Sequence, residues 1–184
     1  MRLYHALTRC RPAPSRPPRH AAVAMAGLLL AACSDYEFRV NDRLVYTPAP
    51  LFADFRTEDG ALFDCLAQTI SDQKVVQAGA LTALRCSHAG IRSLAGLETF
   101  QGLEFIDASH NALSAVGALA ALPALLEADL SFNELADVSA LEDMLWLERI
   151  DLRGNPLLLC GPARRLAARP RTRVQLPEHC SGQR

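Results

Sequence analysis

The chain has 184 residues, 50% of them apolar and 21% charged, with a formal net charge of −1. That balance fits one folded unit and excludes disordered, collagen-like and strongly basic nucleic-acid-binding classes. Six cysteines in so short a chain point to an oxidising compartment outside the cytoplasm.

Residues 1–32 read as a targeting segment. Arg2, Arg9, Arg11, Arg16 and Arg19 precede an apolar run from Ala21 to Ala32, and no acidic residue stands among them. Those 12 residues are too few to cross a bilayer core as a helix, which takes roughly 20, but they suit the apolar core of a signal peptide. The run ends in Leu30-Ala31-Ala32-Cys33, which resembles the bacterial lipobox. The resemblance implies that Cys33 is acylated and becomes the new N-terminus, anchoring the chain in the bacterial cell envelope. The other reading is an ordinary signal peptide with a chance cysteine. Ser34, standing where an Asp would favour inner-membrane retention, points to the outer membrane. Without residues 1–32 the chain carries 14 basic and 20 acidic residues, a net charge of −6.

In residues 33–58, Tyr36 to Val40 and Leu44 to Tyr46 alternate apolar and polar around Asn41-Asp42, which predicts a small hairpin ended by Pro48 and Pro50. This stretch serves as a tether or packs beside the N-terminal cap. Over 59–80, Asp59 is placed to cap a helix from about Gly60 to Ile70. Leu62, Cys65, Leu66 and Ile70 then share one face, forming that cap.

From residue 81 the chain matches itself at a period of 22, which superimposes Leu81, Leu103, Leu125 and Leu147. Apolar residues recur inward at Leu81, Leu84, Cys86, Ile91, Leu94 and Leu97 in the first repeat. The second supplies Leu103, Ile106, Ala108, Leu113, Val116 and Leu119, and the third Leu125, Ala128, Leu130, Leu135, Val138 and Leu141. The fourth runs Leu147, Ile150, Leu152, Leu157, with Cys160 in place of the next Leu. Asn111, Asn133 and Asn155 hold the ninth position, where an amide satisfies backbone groups of a turn; Ala89 stands there in the first repeat. The h-x-h segments predict short strands, and each repeat buries its apolar face only against its neighbours.

With these motifs the chain resembles the leucine-rich-repeat family, in the short 22-residue class of bacterial internalins and small bacterial lipoproteins. The resemblance covers 81–160 as four repeats and 59–80 as an N-cap, leaving 161–184 as a basic C-cap. It implies an α/β solenoid with a parallel concave β-sheet, a short helical N-cap, a disulfide-tied C-cap, and binding of another protein as the usual role. Of the cysteines, Cys10 leaves with the signal segment and Cys33 takes the lipid. Cys65, Cys86, Cys160 and Cys180 remain, with three possible pairings. The repeat register points Cys86 inward beside the cap helix. It also puts Cys160 at an inward position of the last repeat, ahead of a short helix around Pro162 to Ala168 and an extended Val174 to Leu176. Cys65–Cys86 and Cys160–Cys180 are the bridges expected.

Outward strand residues form columns across the concave face. One column is Arg85, Asp107, Asp129 and Asp151; beside it lie Ala83, Phe105, Glu127, Arg149 and Ser87, Ser109, Ser131, Arg153. Stacked carboxylates favour a cationic partner, although Asp here also reads as a solvated face. His88 and His110 share one repeat position with Phe132, but no third ligand completes a metal site. Trp146 reads as packing. The residues expected to contact a protein partner are Arg85, Phe105, Asp107, His110, Glu127, Asp129, Phe132, Asp151 and Arg153, with Phe105 and Phe132 as aromatic anchors.

No G-x-S-x-G, G-x-x-x-x-G-K-[ST] or H-E-x-x-H motif occurs, and an open concave face offers no enclosed pocket. The expectation is therefore a monomeric, non-enzymatic protein with no cofactor or metal and no nucleic-acid partner. Its alternative role is structural, touching the cell wall or anionic lipid through the acidic face or Arg164, Arg165, Arg169, Arg171 and Arg173.

Overall fold

The computed structural model describes the strands β1 (Phe38–Val40) and β2 (Arg43–Tyr46) and residues 49–182. The expected signal segment and the Cys33 anchor lie outside the described residues. The chain divides into two units, 1–50 and 51–184. In the first, β1 and β2 pair antiparallel with Val40 opposite Arg43, the hairpin expected around Asn41-Asp42.

The second unit begins with an aromatic wedge. Phe52 N–H donates to Val75 C=O at 2.8 Å, and the Phe52 and Phe55 rings meet Phe100 edge-on at 5.9 and 5.6 Å. The wedge closes over α1 (Gly60–Gln73), which buries Leu62, Leu66 and Ile70 against the first repeat and ends at Lys74 in the left-handed region. Asp59 does more than cap this helix. Its Oδ1 accepts from Leu62 N–H at 3.0 Å, while its Oδ2 accepts from the Arg92 and Ser93 amides at 2.7 and 3.1 Å, clamping the cap to the back of the first repeat.

Five three-residue strands form one parallel sheet: β3 (Ala83–Arg85), β4 (Phe105–Asp107), β5 (Glu127–Asp129), β6 (Arg149–Asp151) and β7 (Arg173–Gln175). In the first four the middle residue points inward and is buried, as Leu84, Ile106, Ala128 and Ile150, because successive side chains of a strand alternate faces. The chain returns along the convex side through 3₁₀ turns at Leu97–Thr99, Gly117–Ala121 and Ser139–Leu141. Every apolar position expected in the first three repeats is buried, and Phe100, Leu122 and Met144 add a further buried position per repeat. Each large aliphatic side chain contributes about 1.5–3 kcal/mol by leaving water.

The asparagines stitch the repeats together. Asn133 Oδ1 accepts from Leu113 N–H at 3.0 Å, and its amide donates to the carbonyls of Ala108, Leu130 and Ser131. Asn155 does the same one repeat on, and Asn111 accepts from the Ala89 and Ile91 amides. Ala89 has no preceding strand to stitch, which explains why an amide is dispensable there.

The fourth repeat departs from the expected pattern. Leu157 is 66% exposed and Leu158 is buried in its place. In earlier repeats the tenth-position amide donates back, as Glu134 N–H does to Leu113 C=O; Pro156 has no N–H to continue that ladder. No later asparagine holds the Leu157 amide either. The chain instead turns, with Leu158 N–H donating to Asn155 C=O, and Cys160 opens α2 (Cys160–Ala167) as its first residue, half-buried, rather than filling an inward repeat position. The helix starts two residues before the expected Pro162. The extended stretch beyond it is β7, a fifth strand that pairs with β6 from Arg173 to Gln175. A short α3 (Glu178–Ser181) closes the cap. The bridges are Cys65–Cys86 and Cys160–Cys180, one joining α1 to the first strand turn and one joining α2 to α3.

Candidate functional site

The outward residues of β3 to β7 line up because the strands pair in register, Ala83 beside Phe105, Glu127, Arg149 and Arg173. Two interactions run between repeats across this face. The Arg85 guanidinium lies 4.9 Å from the centre of the Phe105 ring, a cation–π contact. Arg149 meets Glu127 at 2.9 Å, both half-exposed. Phe105, Glu127, Asp129, Arg149, Asp151 and Gln175 line one shallow groove of about 180 Å³. The groove therefore joins four of the expected contact residues and adds Arg149 and Gln175. Gln175 belongs to the fifth strand, which the 22-residue period does not mark, although the polar-apolar-polar run Arg173-Val174-Gln175 carries its signal.

The aspartate column has a structural task that the sequence did not reveal. Asp107 Oδ1 accepts from both the amide and the hydroxyl of Ser109, at 3.0 and 2.7 Å, and Asp129 holds Ser131 identically. Ser109 and Ser131 are consequently buried rather than displayed outward. In the last repeat Arg153 replaces the serine, and its Nε–H donates to both Asp151 oxygens at 3.0 Å. This hydrogen bonding, and then the carboxylate charge, raises the Arg153 pKa above its ordinary value. Arg153 is thus engaged with its own column. The second oxygens of Asp107 and Asp129 have no partner among the described residues.

His110 and Phe132 lie on the rim of the sheet, outside the groove. The His88, His110 and Phe132 rings stack in parallel, with centroids 4.2 and 4.4 Å apart. All three residues, with Gly154 at the fourth equivalent position, have φ between 55° and 69°. The stack reflects a turn that forces the left-handed region in every repeat. Parallel rings hold their nitrogen lone pairs side by side, so the pair does not converge on one ion. Phe132 is 51% exposed.

Trp146 is not simply packed. It is 39% exposed, donates its indole N–H to Leu122 C=O at 3.2 Å, and with Leu126, Leu145, Leu147, Glu148 and Arg171 lines a larger cleft of about 450 Å³ at the opposite rim. The cleft collects residues ahead of three different strands, so no local pattern marks it.

No protein-family model matches the chain, and no curated protein does. Solved structures do. An internalin (inlF) from Listeria monocytogenes superposes with a TM-score of 0.55 at 19% identity, over 65% of this chain and 36% of that one. Internalin C2 (inlC2) from the same organism gives a TM-score of 0.37 at 21% identity, over 47% of this chain and 36% of that one. The chain thus has an internalin-type leucine-rich-repeat fold and spans about a third of the length of these neighbours.

Proposed function

We propose that this protein is a non-enzymatic lipoprotein of the bacterial cell envelope that binds another protein through the concave face of its repeats. The observation that carries the reading is the groove on β4 to β7. One aromatic ring, three carboxylates, one guanidinium and one amide stand there on a sheet whose inward side chains are buried, and aromatic and arginine side chains are the ones that contribute most to protein interfaces. The fold supports an interaction role by analogy alone.

The alternative of a charged structural anchor is less well supported. Arg165 pairs with Glu142, Arg164 donates to Cys180 C=O, and Arg169 donates to the carbonyls of Leu141 and Met144. The cap uses these cations internally, which leaves Arg171 and Arg173 for anionic lipid or cell wall among the described residues.

The test places a photo-crosslinking residue at Phe105, at Leu145 beside the Trp146 cleft, or at Ala115 on the convex side, in intact cells. A discrete adduct from Phe105 that disappears with Arg149→Glu supports the concave reading. Equal adducts from Ala115, or adducts only from Leu145, overturn it. Anchoring is checked separately by the mass of the mature N-terminus, where an unmodified Cys33 or cleavage elsewhere removes the lipoprotein assignment.

A further inference from the structure

The C-terminal cap contains a donor set that the repeats do not. One ring nitrogen of His179 and the sulfurs of Cys160 and Cys180 lie within 4.8 Å of one another. Cys180 is buried, Cys160 half-buried and His179 exposed, so the cluster is anchored on one side and open to solvent on the other. His179 Nε2 lies 3.0 Å from Leu158 C=O. With its proton on that nitrogen, the ring is oriented by a backbone carbonyl and keeps its lone pair on Nδ1, as histidine ligands usually do when a carbonyl holds the other ring nitrogen.

We propose that this cluster is a redox-gated site for a thiophilic divalent cation of the zinc type: closed as a cystine when oxidised, and able to hold the ion on Cys160, His179 and Cys180 when reduced. In the gating step a dithiol of an exchange partner transfers two electrons and two protons to the Cys160–Cys180 bond. The S–S bond breaks, two thiols form, and the dithiol leaves as its own disulfide. The ion then displaces the two thiol protons, giving a neutral complex of two thiolates, one neutral imidazole and a water. Zinc–sulfur bonds of about 2.3 Å in a tetrahedron separate two sulfurs by roughly 3.8 Å.

Two features of the surroundings favour thiolates here. Cys160 is the first residue of α2, and Leu159 before it makes no side-chain bond to the helix amides, so the positive end of the helix carries no side-chain acceptor of its own at this cysteine. Arg164, one turn on, donates its Nε–H to Cys180 C=O at 3.0 Å, which holds a cation at Cys180. Cys86 of the other bridge, by contrast, is buried in the hydrophobic core.

The experiment uses the full-length chain with Cys10 and Cys33 replaced by serine, reduced with a phosphine and titrated with Co²⁺, then with Zn²⁺ in competition. One Co²⁺ per chain with sulfur-to-metal charge transfer and tetrahedral d–d bands is expected for the reduced protein only, and Zn²⁺ should bleach them. His179→Ala leaves the core intact because the side chain is exposed; it should weaken binding by at least about tenfold, a loss seen even for outer-shell partners. Cys160→Ser with Cys180→Ser should abolish the bands. The proposal is overturned if the reduced chain shows no bands, if they survive in the serine pair and so belong to Cys65 and Cys86, or if His179→Ala leaves affinity unchanged.

Discussion

Replacing Asp59 by Ala should destabilise the protein out of proportion to a lost helix cap. Loss of an N-cap carboxylate costs about 1 kcal/mol. Asp59 also receives the Arg92 and Ser93 amides on its second oxygen, and each such bond is worth about 1 kcal/mol net. The sum is about 2–3 kcal/mol, read as a lower urea midpoint at pH 7 by far-UV circular dichroism. Asp59→Asn should lose less, because the amide oxygen still accepts from Leu62. The pH dependence gives an independent check. Burial pushes the Asp59 carboxyl up, but the backbone donors Arg92, Leu62, Ser93 and Ala61 outweigh it and hold the pKa below the ordinary value. Its contribution is therefore complete above the ordinary Asp range and lost as pH falls through the lowered folded value. The gap between wild type and Asp59→Ala should close below about pH 4. A gap under about 0.5 kcal/mol at pH 7, the scatter of unremarkable surface substitutions, or one that persists at pH 2, would refute the clamp.

Asn133→Ala strands the Leu113 amide and the Ala108 and Leu130 carbonyls in the interior, and about 3 kcal/mol of lost stability is expected in the same urea assay; Ala89→Asn should be close to neutral. Gly154→Ala adds a Cβ 2.5 Å from the Phe132 ring at a φ of +69°. It should cost about 1–2 kcal/mol, of which Phe132→Ala in the same chain should recover the steric part, as a double-mutant cycle would measure. Each bridge closes a loop of about twenty residues, so Cys65→Ser with Cys86→Ser, or the serine pair at Cys160 and Cys180, should lower stability by about 3 kcal/mol; an unchanged thermal midpoint for either pair would contradict the caps' role.

The repeat frame is readable in the chain because each repeat solves the same packing problem with residues at the same spacing. Leu84, Ile106, Ala128 and Ile150 declare the strands, and Asn111, Asn133 and Asn155 declare the turns. The register then brings Cys65 to Cys86. Features that depend on a single distant partner leave no period. The second oxygen of Asp59 is used more than thirty residues away, and β7 comes 24 residues after β6 rather than 22. At the last repeat the local pattern misleads. Leu157 matches the template letter for letter, yet Pro156 removes the backbone donor that would have turned it inward.

The concave face shows a subtler limit. Alternation along a strand tells which side chains leave the core, so Phe105, Asp107, Glu127 and Asp129 all qualify as outward. It says nothing of which are already committed to the fold. Asp107 and Asp129 each spend one oxygen holding a buried serine, whereas Phe105, Glu127 and Arg149 make only exposed contacts across the sheet. Charge reversal along the aspartate column would thus loosen the strand turns as well as any partner, and a lost complex could not be assigned to either cause. Phe105→Ala and Arg149→Glu alter the surface without removing a buried hydrogen bond, so binding lost in these variants at unchanged urea midpoint locates the contact on the groove itself.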